Sequence, residues 1–82
     1  MASEPQIKLE IERTVTAYPL WKIGATNEPA RCRIEHGSPR IWYQWNADTV
    51  AAARNIETYF IAKGMKGTSN GPGRTDNVYI FL

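Results

Sequence analysis

Apolar and polar residues alternate near the start of the chain and follow a helical spacing in its second half. Ile7, Leu9 and Ile11 alternate with charged residues, which predicts a first β-strand over 7–15 with these three side chains on one face. Apolar residues recur at three- and four-residue steps over 50–60, which predicts an amphipathic helix. The pattern therefore predicts a mixture of strands and helices.

Glycines, prolines and capping residues divide the chain into six predicted elements. In chain order these are strands at 7–15 and 20–23, a helix at 29–36, a strand at 40–46, a helix at 48–63 and a strand at 78–82. Gly37 and Gly64 are the expected helix ends, and Asp48 or Ala47 is the expected start of the second helix. Residues 64–77 hold four glycines and one proline, which predicts a loop. The order β-β-α-β-α-β predicts an α+β fold with a small, mostly antiparallel sheet and two covering helices.

The length of the chain predicts one domain. It has 82 residues, and we expect a disordered tail at 1–6 and a single domain at 7–82, either a monomer or a weak homodimer. The single cysteine excludes an internal disulfide and favours a reducing, cytoplasmic setting. No apolar run approaches the roughly 18 residues of a membrane span, and the first residues do not resemble a signal peptide, so we expect no membrane partner.

The most informative segment of the chain is 21–36, with the sequence WKIGATNEPARCRIEH. It predicts a strand, a turn and a helix that starts near Pro29. Arg31 and Arg33 then lie close to the start of that helix. Free backbone N–H groups, the helix dipole and guanidinium groups together favour phosphate. The alternative is an ordinary strand-to-helix connection with solvated arginines.

This segment resembles the second core motif of the GIY-YIG nuclease superfamily, which joins a strand ending in Ile-Gly to a helix ending near Glu-His. The shared residues are Ile23, Gly24, Thr26, Asn27, Pro29, Arg31, Glu35 and His36. The segment 51–60 is similar to the later helix of the superfamily, and Glu57 falls where its metal-binding glutamate belongs. The resemblance implies a GIY-YIG-like fold, DNA or RNA as the partner, and a Mg²⁺ or Mn²⁺ ion at Glu57.

The catalytic residues that the resemblance implies are incomplete. Lys22 stands in place of the motif tyrosine, Cys32 stands in place of the catalytic arginine, and no Gly-x-Tyr triplet precedes the motif. The candidate catalytic residues that remain are Glu57 for the metal ion, Arg31 or Arg33 for phosphate, and Tyr18 or His36 for proton transfer.

Aromatic and cationic residues near the motif predict a surface for nucleic acid. Aromatic rings stack on bases, and lysine and arginine hold phosphates. The candidate binding residues are Lys22, Arg33, Trp21, Lys63 and Lys66. The formal net charge of +2 is compatible with such a partner but does not require it. A buried Trp21 or Trp42 would belong to the core, whereas an exposed one could stack on a base, so the burial of these two residues decides between the roles.

Three functions follow as hypotheses. The first is nucleic-acid binding on a GIY-YIG-like scaffold with weakened or lost nuclease activity. The second is an active metal-dependent endonuclease with a rearranged site that uses Glu57. The third is a protein-interaction module, in which the strand at 78–82 forms a sheet edge and pairs with a partner.

Overall fold

The described part of the chain folds into a four-stranded mixed sheet with helices on both faces. The computed structural model describes residues 3–67 and 76–82. The elements are α1 (Glu4–Thr14), a 3₁₀ turn (Tyr18–Leu20), β1 (Lys22–Thr26), α2 (Pro29–Glu35), β2 (Trp42–Asn46), α3 (Val50–Ala62), β3 (Lys66–Gly67) and β4 (Asn77–Phe81). The strand order is β2-β4-β1-β3, with β4 antiparallel to both neighbours and β3 parallel to β1. The predicted α+β class is confirmed, but the order α-β-α-β-α-β-β replaces the predicted one.

One face of the sheet packs against α1 and α3 and forms the main core. Because side chains alternate along a strand, Val78 and Ile80 point to this face, and Tyr79 and Phe81 point to the other. Val78 and Ile80 are fully buried, as are helix residues of the same core that include Ile7, Ile11, Ile56 and Phe60. Tyr79 and Phe81 pack with Cys32 of α2 instead. The sheet therefore separates α2 from α1 and α3.

The N-terminal segment is a helix, so the predicted strand at 7–15 is wrong. Ile7 and Ile11 lie one helical turn apart and are fully buried. Leu9, which a strand would place beside them, is 50% exposed. All three apolar residues fit a period of two, and Ile7 and Ile11 also fit the four-residue spacing of a helix. Contact with α3 favours the helix because it buries one apolar stripe.

A serine cap sets the start of α1. The hydroxyl of Ser3 accepts a hydrogen bond of 3.4 Å from the backbone N–H of Gln6, which satisfies one of the free donors of the first turn. Residues 4–6 of the predicted tail consequently lie in α1. Residues 1 and 2 of that tail lie outside the described residues.

Caps and glycines also set the ends of the other helices. The hydroxyl of Thr49 accepts a hydrogen bond of 3.0 Å from a backbone N–H in the first turn of α3. Thr49 is therefore the N-cap, and the predicted start at Asp48 or Ala47 is wrong by one or two residues. The backbone at Gly37 and Gly64 has φ of +82° and +119°, which confirms both as residues that end a helix.

The C-terminal strand lies at the centre of the sheet. Residues 64–77 do not form a continuous loop, because β3 and the first residue of β4 fall within them; residues 68–75 lie outside the described residues. β4 lies beside β1 and pairs with it antiparallel along the whole of β1. Because β4 is paired on both sides, it is not an edge, and the third hypothesis loses the edge strand on which it rested.

Candidate nucleic-acid interface

Four residues form a continuous row across the sheet on the face that carries α2. Trp42 of β2 pairs in register with Phe81 of β4, Phe81 pairs with Lys22 of β1, and Lys22 pairs with Lys66 of β3. Residues paired in register point to the same face, and neighbouring strands lie about 4.8 Å apart, so this cross-sheet row is about 14 Å long. It places two aromatic residues beside two lysines.

An aromatic cluster supports the centre of the cross-sheet row. The rings of Trp42 and Tyr79 are stacked, with centroids 4.7 Å apart and an interplanar angle of 8°, and the Trp42 and Phe81 centroids are 5.5 Å apart. Tyr79 and Phe81 are buried, whereas Trp42 is half-buried. Trp42 is thus held rigidly while part of its ring remains at the surface.

His36 and Lys22 reach the same cluster from two elements. The His36 ring lies 4.8 Å from the Phe81 ring, and its Nε2 shares a hydrogen bond of 3.1 Å with the hydroxyl of Tyr79. The Nζ of Lys22 lies 5.4 Å from the centroid of Phe81, within the range of a cation–π contact. The structure therefore brings His36 and Lys22 together with Lys66 on one face.

Helix α2 adds arginine side chains to this face. It is anchored by Cys32, which is 6% exposed against Tyr79 and Phe81. The Arg31 guanidinium forms ion pairs with Glu28 and Glu35 at 3.4 and 4.0 Å but remains 72% exposed. Exposed pairs of this kind are worth about 0–1 kcal/mol, so a stronger anion can displace them.

The sequence around α2 carries an excess of positive charge. Residues 22–40 contain four Lys and Arg residues against two Glu residues. Arg33 of this segment donates a hydrogen bond of 3.1 Å to the carbonyl of Pro39 and remains exposed. With Lys66 beside Lys22, the α2 face is the more basic side of the sheet, because α1 carries three Glu residues against one Lys and one Arg.

Two of the predicted binding residues lie away from the α2 face. Trp21 is 6% exposed and belongs to the main core. Lys63 lies over the rings of Tyr18 and Tyr59 and is 4.0 Å from Glu12 of α1; hydrogen bonding with Tyr59 raises the pKa of Lys63. The candidate proton-transfer residue Tyr18 packs against Phe60 of α3, on the same side of the sheet.

Glu57 also lies apart from the α2 residues. It is half-buried on α3, which packs on the opposite face of the sheet from Arg31 and His36. Among the described residues, no group of three His, Cys, Asp or Glu side chains is placed to hold a metal ion. The donor set therefore does not fit a Mg²⁺ ion shared between Glu57 and an α2-bound phosphate, and the ion at Glu57 stays a prediction.

The sequence pattern did not identify Tyr79 as a residue of this site. It also did not show that Trp42 stacks on the aromatic cluster that supports the row. The sequence predicts that Tyr79 lies in a strand at 78–82, but the pairing of Tyr79 opposite Gly24 depends on the long-range order of the strands. Because side chains alternate along a strand, Trp42 and Tyr43 must lie on opposite faces of a strand at 40–46, which is a usable signal. Local patterns did not reveal that this face carries α2.

The fold and the row together define a small α+β domain with a basic, aromatic sheet face that one short helix covers in part. A scan against models of protein families, a search of curated proteins and a search of solved structures found no match to the chain. Within residues 3–67 and 76–82, no helix is both long and apolar enough to cross a membrane.

Proposed function

We propose that this chain is a GIY-YIG-like domain that binds single-stranded nucleic acid on its α2 face, with nuclease activity weakened or lost. The observation that carries the proposal is the cross-sheet row, in which Lys22 and Lys66 stand in register beside the aromatic pair of Phe81 and Trp42. A single strand offers unstacked bases and a regular line of phosphates, which are the two chemistries that this row complements.

Each end of the row has its own task in this proposal. Lys22 and Lys66 neutralise neighbouring phosphates and release counterions. The surface part of Trp42 stacks on a base, an interaction worth about 1–3 kcal/mol. Arg31 and Arg33 extend the cationic surface along α2, where they are exposed and able to leave their weak partners.

The position of Tyr79 supports the likeness to GIY-YIG nucleases. The sequence lacks the expected Gly-x-Tyr triplet before the motif, but β4 supplies a tyrosine from the other end of the chain. Tyr79 pairs directly opposite the motif residue Gly24, and its hydroxyl contacts His36, which ends the motif helix. A tyrosine and a histidine of the expected types therefore meet beside the motif strand.

The same geometry favours binding over cleavage. Tyr79 is 1% exposed beneath the Trp42 ring, so it does not reach a substrate in this arrangement. Cys32, which replaces the family arginine, is buried and carries no charge that could stabilise a phosphoryl transition state. Lys22 is cationic but lacks the bidentate geometry of a guanidinium.

The test is the affinity of the protein for fluorescent oligothymidylate, measured by anisotropy at a series of salt concentrations. We expect log K to fall linearly with log salt, and each of Lys22→Ala and Lys66→Ala to reduce the slope by about 0.7. Arg54→Ala removes one exposed charge from α3 on the opposite face and is the matched control, with no change in slope expected. Absence of binding at low salt, or an equal loss in the control, contradicts the proposal.

Incubation with supercoiled plasmid tests the second half of the proposal. We expect no nicking with either Mg²⁺ or Mn²⁺ under conditions where binding is saturated. Efficient nicking that Glu57→Ala abolishes would establish the endonuclease hypothesis in place of lost activity.

A further inference from the structure

A cleft of about 340 Å³ lies between the end of α1 and the edge strand β2. Its lining consists of Glu10, Arg13, Thr14, Tyr43, Gln44 and Trp45. Tyr43 and Trp45 point to the face opposite Trp42, so the cleft is separate from the cross-sheet row. Its volume lies within the range of about 300–1,000 Å³ that is typical of small-molecule sites.

The floor of the cleft is aromatic. Tyr43 and Trp45 lie on the same face of β2, with ring centroids 6.4 Å apart and an interplanar angle of only 20°. Tyr43 is 45% exposed and is held from behind by Trp21, at 6.3 Å between ring centroids. The two rings are nearly parallel, with Tyr43 exposed and Trp45 partly buried, and they offer a stacking surface for a flat heteroaromatic ligand.

The rim of the cleft carries one carboxylate and one guanidinium. Glu10 and Arg13 are three residues apart on α1 and therefore neighbours on its surface. Neither side chain forms a hydrogen bond or ion pair with another described residue. The two charges cancel, so the rim favours an uncharged ligand that has donors on one edge and acceptors on another, and it does not favour phosphate.

We propose that this cleft binds an unpaired guanine base of a nucleic-acid strand. Guanine presents N7 and O6 as acceptors for the Arg13 guanidinium, which is the commonest specific pairing of arginine with a base. Its N1–H and amino group are donors for the Glu10 carboxylate. Adenine carries an amino donor where guanine has O6, and that donor would face the guanidinium. The inference that the guanine belongs to a nucleic-acid strand rests on the proposed function.

The test uses nucleosides, which have a base but no phosphate. Guanosine, adenosine, cytidine and uridine are added in turn to ¹⁵N-labelled protein at equal concentration. We expect guanosine alone to shift the signals of Tyr43 and Trp45, and Glu10→Gln to weaken that binding at least about tenfold because a hydrogen bond to a charged group is lost. Glu12→Gln, two residues away and 4.0 Å from Lys63, is the matched control and keeps wild-type affinity. Equal shifts with all four nucleosides, or none with guanosine, overturn the guanine site.

The two proposals fail separately. Guanosine binding is expected to survive Lys22→Ala, and the salt slope for oligothymidylate is expected to survive Glu10→Gln. Replacing one thymine of the oligonucleotide by guanine should raise its affinity for the wild type but not for Glu10→Gln. If guanosine binds but the guanine in the oligonucleotide does not raise its affinity, the base does not come from a nucleic-acid strand.

Discussion

Replacing Ile7, Leu9 and Ile11 one at a time with alanine tests how the N-terminal segment packs. In α1 the two isoleucines are fully buried against the main core, and Leu9 is 50% exposed. Removal of a fully buried isoleucine side chain costs about 2–5 kcal/mol, since it loses transfer free energy and leaves a cavity. Alanine at the half-exposed Leu9 loses at most about 1 kcal/mol, because half the area is already in water and alanine favours a helix.

The assay is the free energy of unfolding from urea denaturation, followed by circular dichroism and tryptophan fluorescence together. A domain of this size is stable by about 5–15 kcal/mol, so both isoleucine variants should show a large shift of the midpoint, and a melting temperature lower by roughly 8 °C or more. Comparable losses at all three positions would mean that the segment is a strand after all. Negligible losses at Ile7 and Ile11 would mean that α1 does not pack against α3 in the main core.

Three further predictions concern a helix cap, an ion pair and Glu57. Thr49→Ala should cost about 1 kcal/mol of unfolding free energy through loss of the α3 cap, whereas Asp48→Ala, the cap expected from sequence, should cost only a few tenths by the same urea assay. The hydrogen bond from Lys8 lowers the pKa of Glu4. The stabilisation that the ionised Glu4 provides is therefore complete above the ordinary carboxyl pKa and is lost as the pH falls through the lowered pKa. Glu4→Gln should therefore be less stable than wild type at neutral pH and equal to it in acid, and a constant difference across the titration would refute this. Glu57→Gln should leave the affinity for the oligonucleotide unchanged. In an NMR titration with Mn²⁺, the signals of Glu57 and Arg31 should not broaden together. Broadening centred on both residues would show that they share a metal site.

Local signals predicted the strand-turn-helix at 21–36 and the glycines that end α2 and α3, because turn residues and C-terminal glycines act within a few residues. Gly37, for example, adopts the positive φ that its position after a helix predicts. The alternation of side chains in a strand also accounts for the division of the β2 aromatic residues between two faces, as Trp42 and Tyr43 show.

Long-range pairing could not be predicted in the same way. The alternation at Ile7, Leu9 and Ile11 is compatible with a strand until α3 is known to lie beside it. Two apolar segments, 7–11 and 78–82, are candidates for the strand beside β1. The second forms that strand because it is apolar on both faces and is buried on both. That choice moves Tyr79 next to Gly24 and decides where the candidate site lies.

The claim that nucleic acid binds on the α2 face is tested most directly by the indole N–H signals of the three tryptophans. Oligothymidylate is titrated into ¹⁵N-labelled protein at low salt and the complex is then returned to high salt. We predict that the Trp42 indole and the amides of Lys22 and Lys66 shift and recover with salt, while the core residue Trp21 stays unchanged. No shift at Trp42 with any single-stranded DNA or RNA, or shifts confined to α1 and α3, would contradict the account.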